Sequence, residues 1–306
     1  MFDIICLGEP MLEFNRQADG RYLMGHGGDT SNTAIAAARQ DASAGYLTRL
    51  GADDFGDSFM ELWRREGVDA SHVGRDPEAP TAIYFVTHDE GGHRFSYYRA
   101  GSAASRIAPD DLPAAYIGGA AVLHLSGISQ GISTTATDTG FRAIAIAREN
   151  GVRVSYDPNL RLQLWPLDRA RAIIHAAMGD CDIALPGLDD ARRLTGLSEP
   201  DAIADFYLRL GAKIVALTLG PEGTLVATAD ERRRIAGRKV TPVDATGAGD
   251  TFDGAFLAEI VAGRDPFAAA RYANAAAALS TTGYGAVEPM PRRAAVEALL
   301  RESEAA

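Results

Sequence analysis

Along the chain, short runs in which nearly every position is apolar alternate with longer stretches in which apolar residues recur every three or four positions. The short runs are "DIICLG" (3–8), "AGYLTRL" (44–50), "AVLHLSG" (121–127), "VRVSYD" (152–157), "DIALP" (182–186) and "KIVALTLG" (213–220). Several are apolar on both faces, as strands are in a parallel sheet covered on both sides. The stretches "SNTAIAAARQ" (31–40), "SFMELWRREG" (58–67) and "TTATDTGFRAIAIAREN" (134–150) have helical spacing, and Gly151 offers the last a stop. This alternation predicts βαβ units and a three-layer α/β/α sheet.

Two regions break the rhythm: 9–24 and 78–100. In the second, "APTAIYFVTHDEGGHRFSYYR" places two β-rich arms around "DEGG", the pattern of a hairpin. Strands that leave the main alternation predict a small sheet over one end of the large one. With no linker and no repeat, 1–306 reads as one domain carrying a lid built from about 9–24 and 78–100.

Composition narrows the function. The chain has 306 residues, 46% of them hydrophobic, enough to bury a substantial core. A net charge of −11 argues against a binder of nucleic-acid backbones, which needs clustered Lys and Arg. Cys6 and Cys181 stand far apart with no CxxC spacing, so neither a disulfide framework nor a zinc site is expected. The start "MFDIICLGEP" lacks a basic leader, and no apolar run approaches about 18 residues. These features predict a cytoplasmic protein without nucleic-acid or membrane partners.

The candidate chemistry lies in "PVDATGAGDTFDGAF" (242–256). Gly247 and Gly249 let successive backbone N–H groups point outward at a helix start, where the dipole also favours an anion. An ordinary loop before a capped helix would use the same residue types. Neither GxxxxGK[ST] nor GxGxxG is present, since position 252 is Phe. Phosphoryl transfer explains why an aspartate follows the glycines: N–H groups hold charge on the transferring phosphate, and Asp250 accepts the proton of the attacking hydroxyl. The helix start is expected to favour the ionised form of Asp250, with no need of a raised pKa.

"DATGAGDTFDGAF" resembles the signature of the ribokinase-like (PfkB) carbohydrate kinases, and the resemblance runs over almost the whole chain. "GGDTSNTAIAAARQ" (27–40) is similar to that family's N-terminal glycine motif, and "TLGPEG" (218–223) and "ANAAAALSTTGYGA" (273–286) to its nucleotide-binding segments. The resemblance implies a Rossmann-like α/β/α domain, a β-sheet lid over the sugar, and ATP with Mg²⁺ as phosphoryl donor. A requirement for K⁺ and a homo-oligomer formed through the lid stay open. Within the family, "FSYYRAGSAAS" (95–105), "LHLSGIS" (123–129) and "DPNLRLQLW" (157–165) are most similar to 2-keto-3-deoxygluconate kinases.

Residue by residue, the resemblance places Gly28 and Asn32 on the sugar acid, with Tyr84 beside it. Tyr97, Arg99 and Arg161 would bind its carboxylate and neighbouring oxygens. Thr218, Gly220 and Gly223 would line the nucleotide, with Asn274 near the adenine. Gly247, Ala248 and Gly249 would form the anion hole beside Asp250. Many relatives carry Asn-x-x-Glu to organise magnesium; here Gly187 and Asp190 stand there, so Asp190 would act on Mg²⁺ through water.

Simpler roles exist for each residue. An arginine is ordinarily a solvated surface charge, and tyrosines suit strand packing. Asn32 could follow a Thr or Asp cap, Asn274 could serve close helix packing, and His26, His93 and His124 show no metal spacing. Three functions follow: a sugar-acid kinase, a kinase of a neutral sugar or nucleoside, and a non-catalytic binding protein. Two arginines without partners would favour the first, because burying them against a neutral sugar is costly.

Overall fold

The computed structural model describes residues 2–17, 19–89 and 92–302. In chain order the strands are β1 (Ile4–Leu7), β2 (Met11–Arg16), β3 (Tyr22–Gly27), β4 (Ala44–Leu47), β5 (Arg49–Gly51), β6 (Gly74–Asp76) and β7 (Ala82–Asp89). They continue with β8 (Gly92–Tyr98), β9 (Val122–Ser126), β10 (Arg153–Asp157), β11 (Ile183–Ala184), β12 (Ile214–Thr218), β13 (Gly223–Ala227) and β14 (Arg232–Ala236). Eight form one sheet in the order β14-β13-β12-β11-β10-β9-β1-β4. Pairings from β12 to β4 are parallel, and β13 and β14 add an antiparallel edge. Each apolar run read from the sequence holds one of these strands, and 44–50 divides into β4 and β5. The edge strand β14 gave no such signal, because it is "RRRIA" and mostly solvent-facing.

Period-two alternation sorts the strand residues onto two cores. Ile4 and Cys6 of β1 face one cluster with the helices Asp29–Arg39, Asp54–Glu66, Ala248–Val261 and Pro266–Ser280. Ile5 and Leu7 face the other, with Thr134–Glu149, Leu167–Met178, Leu188–Thr195 and Pro200–Leu210. Helices on both faces explain why strand runs lack polar alternation. Gly151 ends the helix Thr134–Glu149 with φ 71°, as its position predicted. Among the described residues, no helix is long and apolar enough to cross a membrane.

The helices Asp29–Arg39 and Ala248–Val261 are buried along nearly their whole length, so neither shows an apolar stripe. They touch at Gly254, where an added Cβ would lie 2.4 Å from the Thr33 carbonyl oxygen and 2.6 Å from Ala36 Cβ. That close approach brings the starts of the two helices to one place.

A second sheet has the order β3-β2-β7-β8, with β2 and β7 parallel and the other pairs antiparallel. Its strands come from the two regions that broke the alternation. The centre of the expected "DEGG" turn, Glu90 and Gly91, lies outside the described residues. Met11, Tyr84, Phe95 and Tyr97 share the sheet face that walls the main cleft.

Candidate active site

The cleft, about 590 Å³, opens at the carboxyl ends of the parallel strands. Residues at or just beyond the ends of β9 to β12 line it: Ile128, Asp157, Leu185 and Thr218. β4 lies on one side of β1 and β9 on the other, so connections diverge beside this opening, the usual ligand position in such sheets.

One wall is the start of the helix Ala248–Val261. Gly247 adopts φ 76° as its first boundary, and no side chain caps the helix. The alternative of a side-chain-capped helix is therefore not what is observed: Thr246 donates to Asp244 at 2.7 Å instead. An added Cβ on Gly249 would meet nothing within 4 Å, so this turn faces open space. An uncapped helix start beside a cavity suits a phosphate group. Gly247, Gly249 and Asp250 line the cleft; Ala248 is the first helical residue between them.

Asn32 Nδ2 donates to Asp250 Oδ2 at 2.8 Å, which leaves Oδ1 for another partner. Burial, then the nearby Asp29 charge, raises the Asp250 carboxyl to about 7, while Asn32 and Arg161 pull it down. This corrects the expectation that the helix start would keep it at its ordinary value. Desolvation and a like charge outweigh the helix dipole here. Burial also pushes Asp157 and Asp253 well above the carboxylate range, with Asp29 and Asp250 adding to it.

The helix holding Asn32 begins at Asp29, two residues before the predicted start, and its boundary residue is Gly28 rather than a Thr or Asp cap. At φ 104°, a Cβ on Gly28 would lie 2.4 Å from the Glu9 carbonyl oxygen. Glycine is required by this contact as well as by the φ. Gly28, Asn32, Tyr84, Tyr97, Arg99 and Arg161 all line the cleft with Asp250.

The arginines are not unpartnered. Arg99 pairs with Glu9, which is fully buried and also accepts from Ser102 Oγ at 2.9 Å. Arg161 lies 3.9 Å from Asp190 and donates to the Leu160 carbonyl at 3.0 Å. This corrects the premise that two unpaired guanidinium groups demand an anion. Tyr84 donates to Glu13 at 2.5 Å, so its hydroxyl is also engaged.

Thr218 lines the cleft, whereas Gly220, Gly223 and Asn274 do not. Gly223 is held by the β13–β14 pairing, where a Cβ would strike the Ile235 carbonyl at 2.1 Å. Asn274 accepts from Thr224 at 2.7 Å and donates to Ile235 at 3.1 Å. Its amide ties a helix to this edge. Asp190 lines the cleft and accepts from Leu160 N at 2.9 Å, fixing the loop that carries Arg161. Gly187 precedes that helix without capping it.

Sequence reading missed Glu9, Asp29, Asp157 and Asn159. Glu9 and Asp157 stand at or just past the ends of β1 and β10, where polar groups in a parallel sheet gather at a site. That placement was the available signal. Asn159 donates to Asp29 Oδ2 at 2.9 Å, and no local pattern announces that contact.

Residues 1–293 match the pfkB family carbohydrate kinase. The 2-dehydro-3-deoxygluconokinase of Thermoproteus tenax is 36% identical over 312 residues, spanning 98% of this chain and 95% of the relative. Fructokinase-1 of Zea mays is 34% identical over 320 residues, spanning 98% of each. The crystal structure of fructokinase from Vibrio cholerae O395, in its fructose, ADP and calcium ion bound form, superposes with TM-score 0.90 at 29% identity, over 98% of this chain and 99% of that one.

Proposed function

The chain belongs to the pfkB family of carbohydrate kinases, and we propose that within it this enzyme transfers the γ-phosphoryl group of ATP to the 6-hydroxyl of 2-keto-3-deoxygluconate. The observation that carries the chemistry is the meeting of Asp250, Asn32 and the uncapped helix start in one cleft. Two cleft-lining arginines from separate segments, and the likeness to the Thermoproteus tenax enzyme, support the sugar acid.

In the reaction the substrate hydroxyl gives its proton to Asp250 Oδ1, because Oδ2 is held by Asn32. The hydroxyl oxygen bonds to the γ-phosphorus as the bond from that phosphorus to the bridging oxygen breaks, and ADP leaves. Backbone N–H groups from Gly247 to Asp250 hold charge on the transferring group. Arg99 and Arg161 bind the carboxylate end, Tyr84 and Tyr97 flank the sugar, and Gly28 lets the backbone approach it. Thr218 borders the nucleotide.

Among the described residues, no three His, Cys, Asp or Glu side chains are arranged to hold a metal alone. A single carboxylate fits Mg²⁺, which keeps several waters and takes phosphate oxygens. Asp190 would be that carboxylate, acting through water. The ion would offset charge on the phosphates.

The internal partners of Arg99 and Arg161 favour a second reading, a neutral ketose, as does the likeness to Zea mays fructokinase-1. A mass-spectrometric assay of phosphorylated products across sugar acids, ketoses and nucleosides separates the readings. Faster turnover of fructose or ribose than of 2-keto-3-deoxygluconate rejects the sugar acid, and no product from any of them rejects the kinase.

A further inference from the structure

We propose that Asp29 is a positioning residue for phosphoryl transfer, its carboxylate setting the basicity of Asp250 across the floor of the cleft. The inference rests on the kinase reading above. Asp29 opens the helix on which Asn32, one turn later, donates to Asp250 at 2.8 Å. Asn159 Nδ2 holds Asp29 Oδ2 at 2.9 Å, so this charge has a fixed place. Asp29 Oδ1 and Asn32 Oδ1 are buried acceptors with no donor among the described residues. A fixed carboxylate lining the same cleft as Asp250 is a like charge that strengthens it as a base.

The groups facing Asp250 come from every side. Asn32 shares the helix of Asp29, Asp253 lies one turn along Asp250's own helix, and Asp157 ends β10. Arg161 follows in the next loop, and Tyr84 belongs to the lid. Burial favours the protonated forms of Asp157 and Asp253, which lessens the charge they bring to Asp250. Arg161 opposes the effect, but its side chain is 45% exposed and water weakens it. Asp29 is the neighbouring charge that raises Asp250. A base whose proton affinity lies near the ambient pH removes a proton best while still largely ionised.

The test is the pH profile of kcat/KM for full-length Asp29→Asn and Asp29→Ser, with 2-keto-3-deoxygluconate or whichever panel sugar the parent phosphorylates. The midpoint is expected to move about one pH unit or more to the acid side of the parent, with a lower rate on the alkaline plateau. Asp29→Glu, which keeps the charge, should restore much of the shift. An unmoved midpoint in folded variants overturns the proposal. Loss of folding in both variants also counts against it, because it would give Asp29 a structural role. A parent that phosphorylates nothing in the panel sinks the kinase reading instead, so the two failures are distinct.

Discussion

The Asn32 amide donates to the Asp250 carboxylate at 2.8 Å across 218 positions of sequence. The contact joins the two family motifs, one at each helix start, and it orients the proton acceptor. It also favours the charged form of Asp250 against burial and Asp29. Asn32→Ala should lower kcat roughly 10–100-fold, the loss expected for a charged hydrogen bond. Its kcat/KM midpoint should move to higher pH, opposite to Asp29→Asn. Steady-state kinetics from pH 5.5 to 9 decide it, and a midpoint unchanged in both variants removes electrostatic control of Asp250.

Asp250→Asn should keep the fold and nucleotide binding and lose roughly 10²–10⁴ in kcat, the range for a positioned base. Calorimetric titration with an ATP analogue, alongside turnover, separates binding from chemistry. Near-parent turnover would remove Asp250 from the mechanism.

Arg99 and Arg161 should behave differently in stability and alike in specificity. Arg99→Ala leaves the fully buried Glu9 without its partner, a loss of roughly 3–5 kcal/mol. Arg161→Ala breaks a looser, half-exposed pair and should change melting little. Arg161→Ala is therefore the cleaner specificity probe. Its kcat/KM should fall roughly 10–100-fold for the sugar acid and much less for a neutral ketose. Equal losses on both substrates would show that Arg161 does not read the carboxylate.

Gly254→Ala should weaken the helix contact that places Asn32 beside Asp250. The new methyl group would meet the Thr33 carbonyl and Ala36 at contact distances that force the backbones apart. A loss of roughly 1–3 kcal/mol is expected, with kcat falling as well. Unchanged melting and unchanged kcat together would mean that the helices can separate without disturbing the site.

The buried carboxyls predict how stability depends on pH. Asp157 and Asp253 sit well above their ordinary value of 3.8 in the folded chain. Below that value both states hold the protons and nothing is lost. As pH rises above it, the unfolded chain releases protons that the folded chain keeps, so stability falls until the folded groups also ionise. Melting temperature should decline from mildly acidic to alkaline pH, and Asp253→Asn should flatten that decline. Parallel curves for parent and variant would show that Asp253 titrates normally.

The chain's own patterning determined the layers, the lid segments and the chemistry-bearing strings. A strand buried on both faces must be apolar throughout, and a strand outside the alternation has to pair elsewhere. The glycines before Asp250 were legible because no other residue takes Gly247's backbone angle at so little cost. The β14 edge was not legible, since an exposed strand of arginines carries no apolar signal. The proton affinity of Asp250 and the partners of Arg99 and Arg161 were not legible either. Glu9, Asp29 and Asp190 reach these residues from distant segments, and only their folded placement brings burial and like charge to bear. Local sequence names the groups that can react. Their charge states are set by neighbours and by loss of water, and both exist only once the chain has packed.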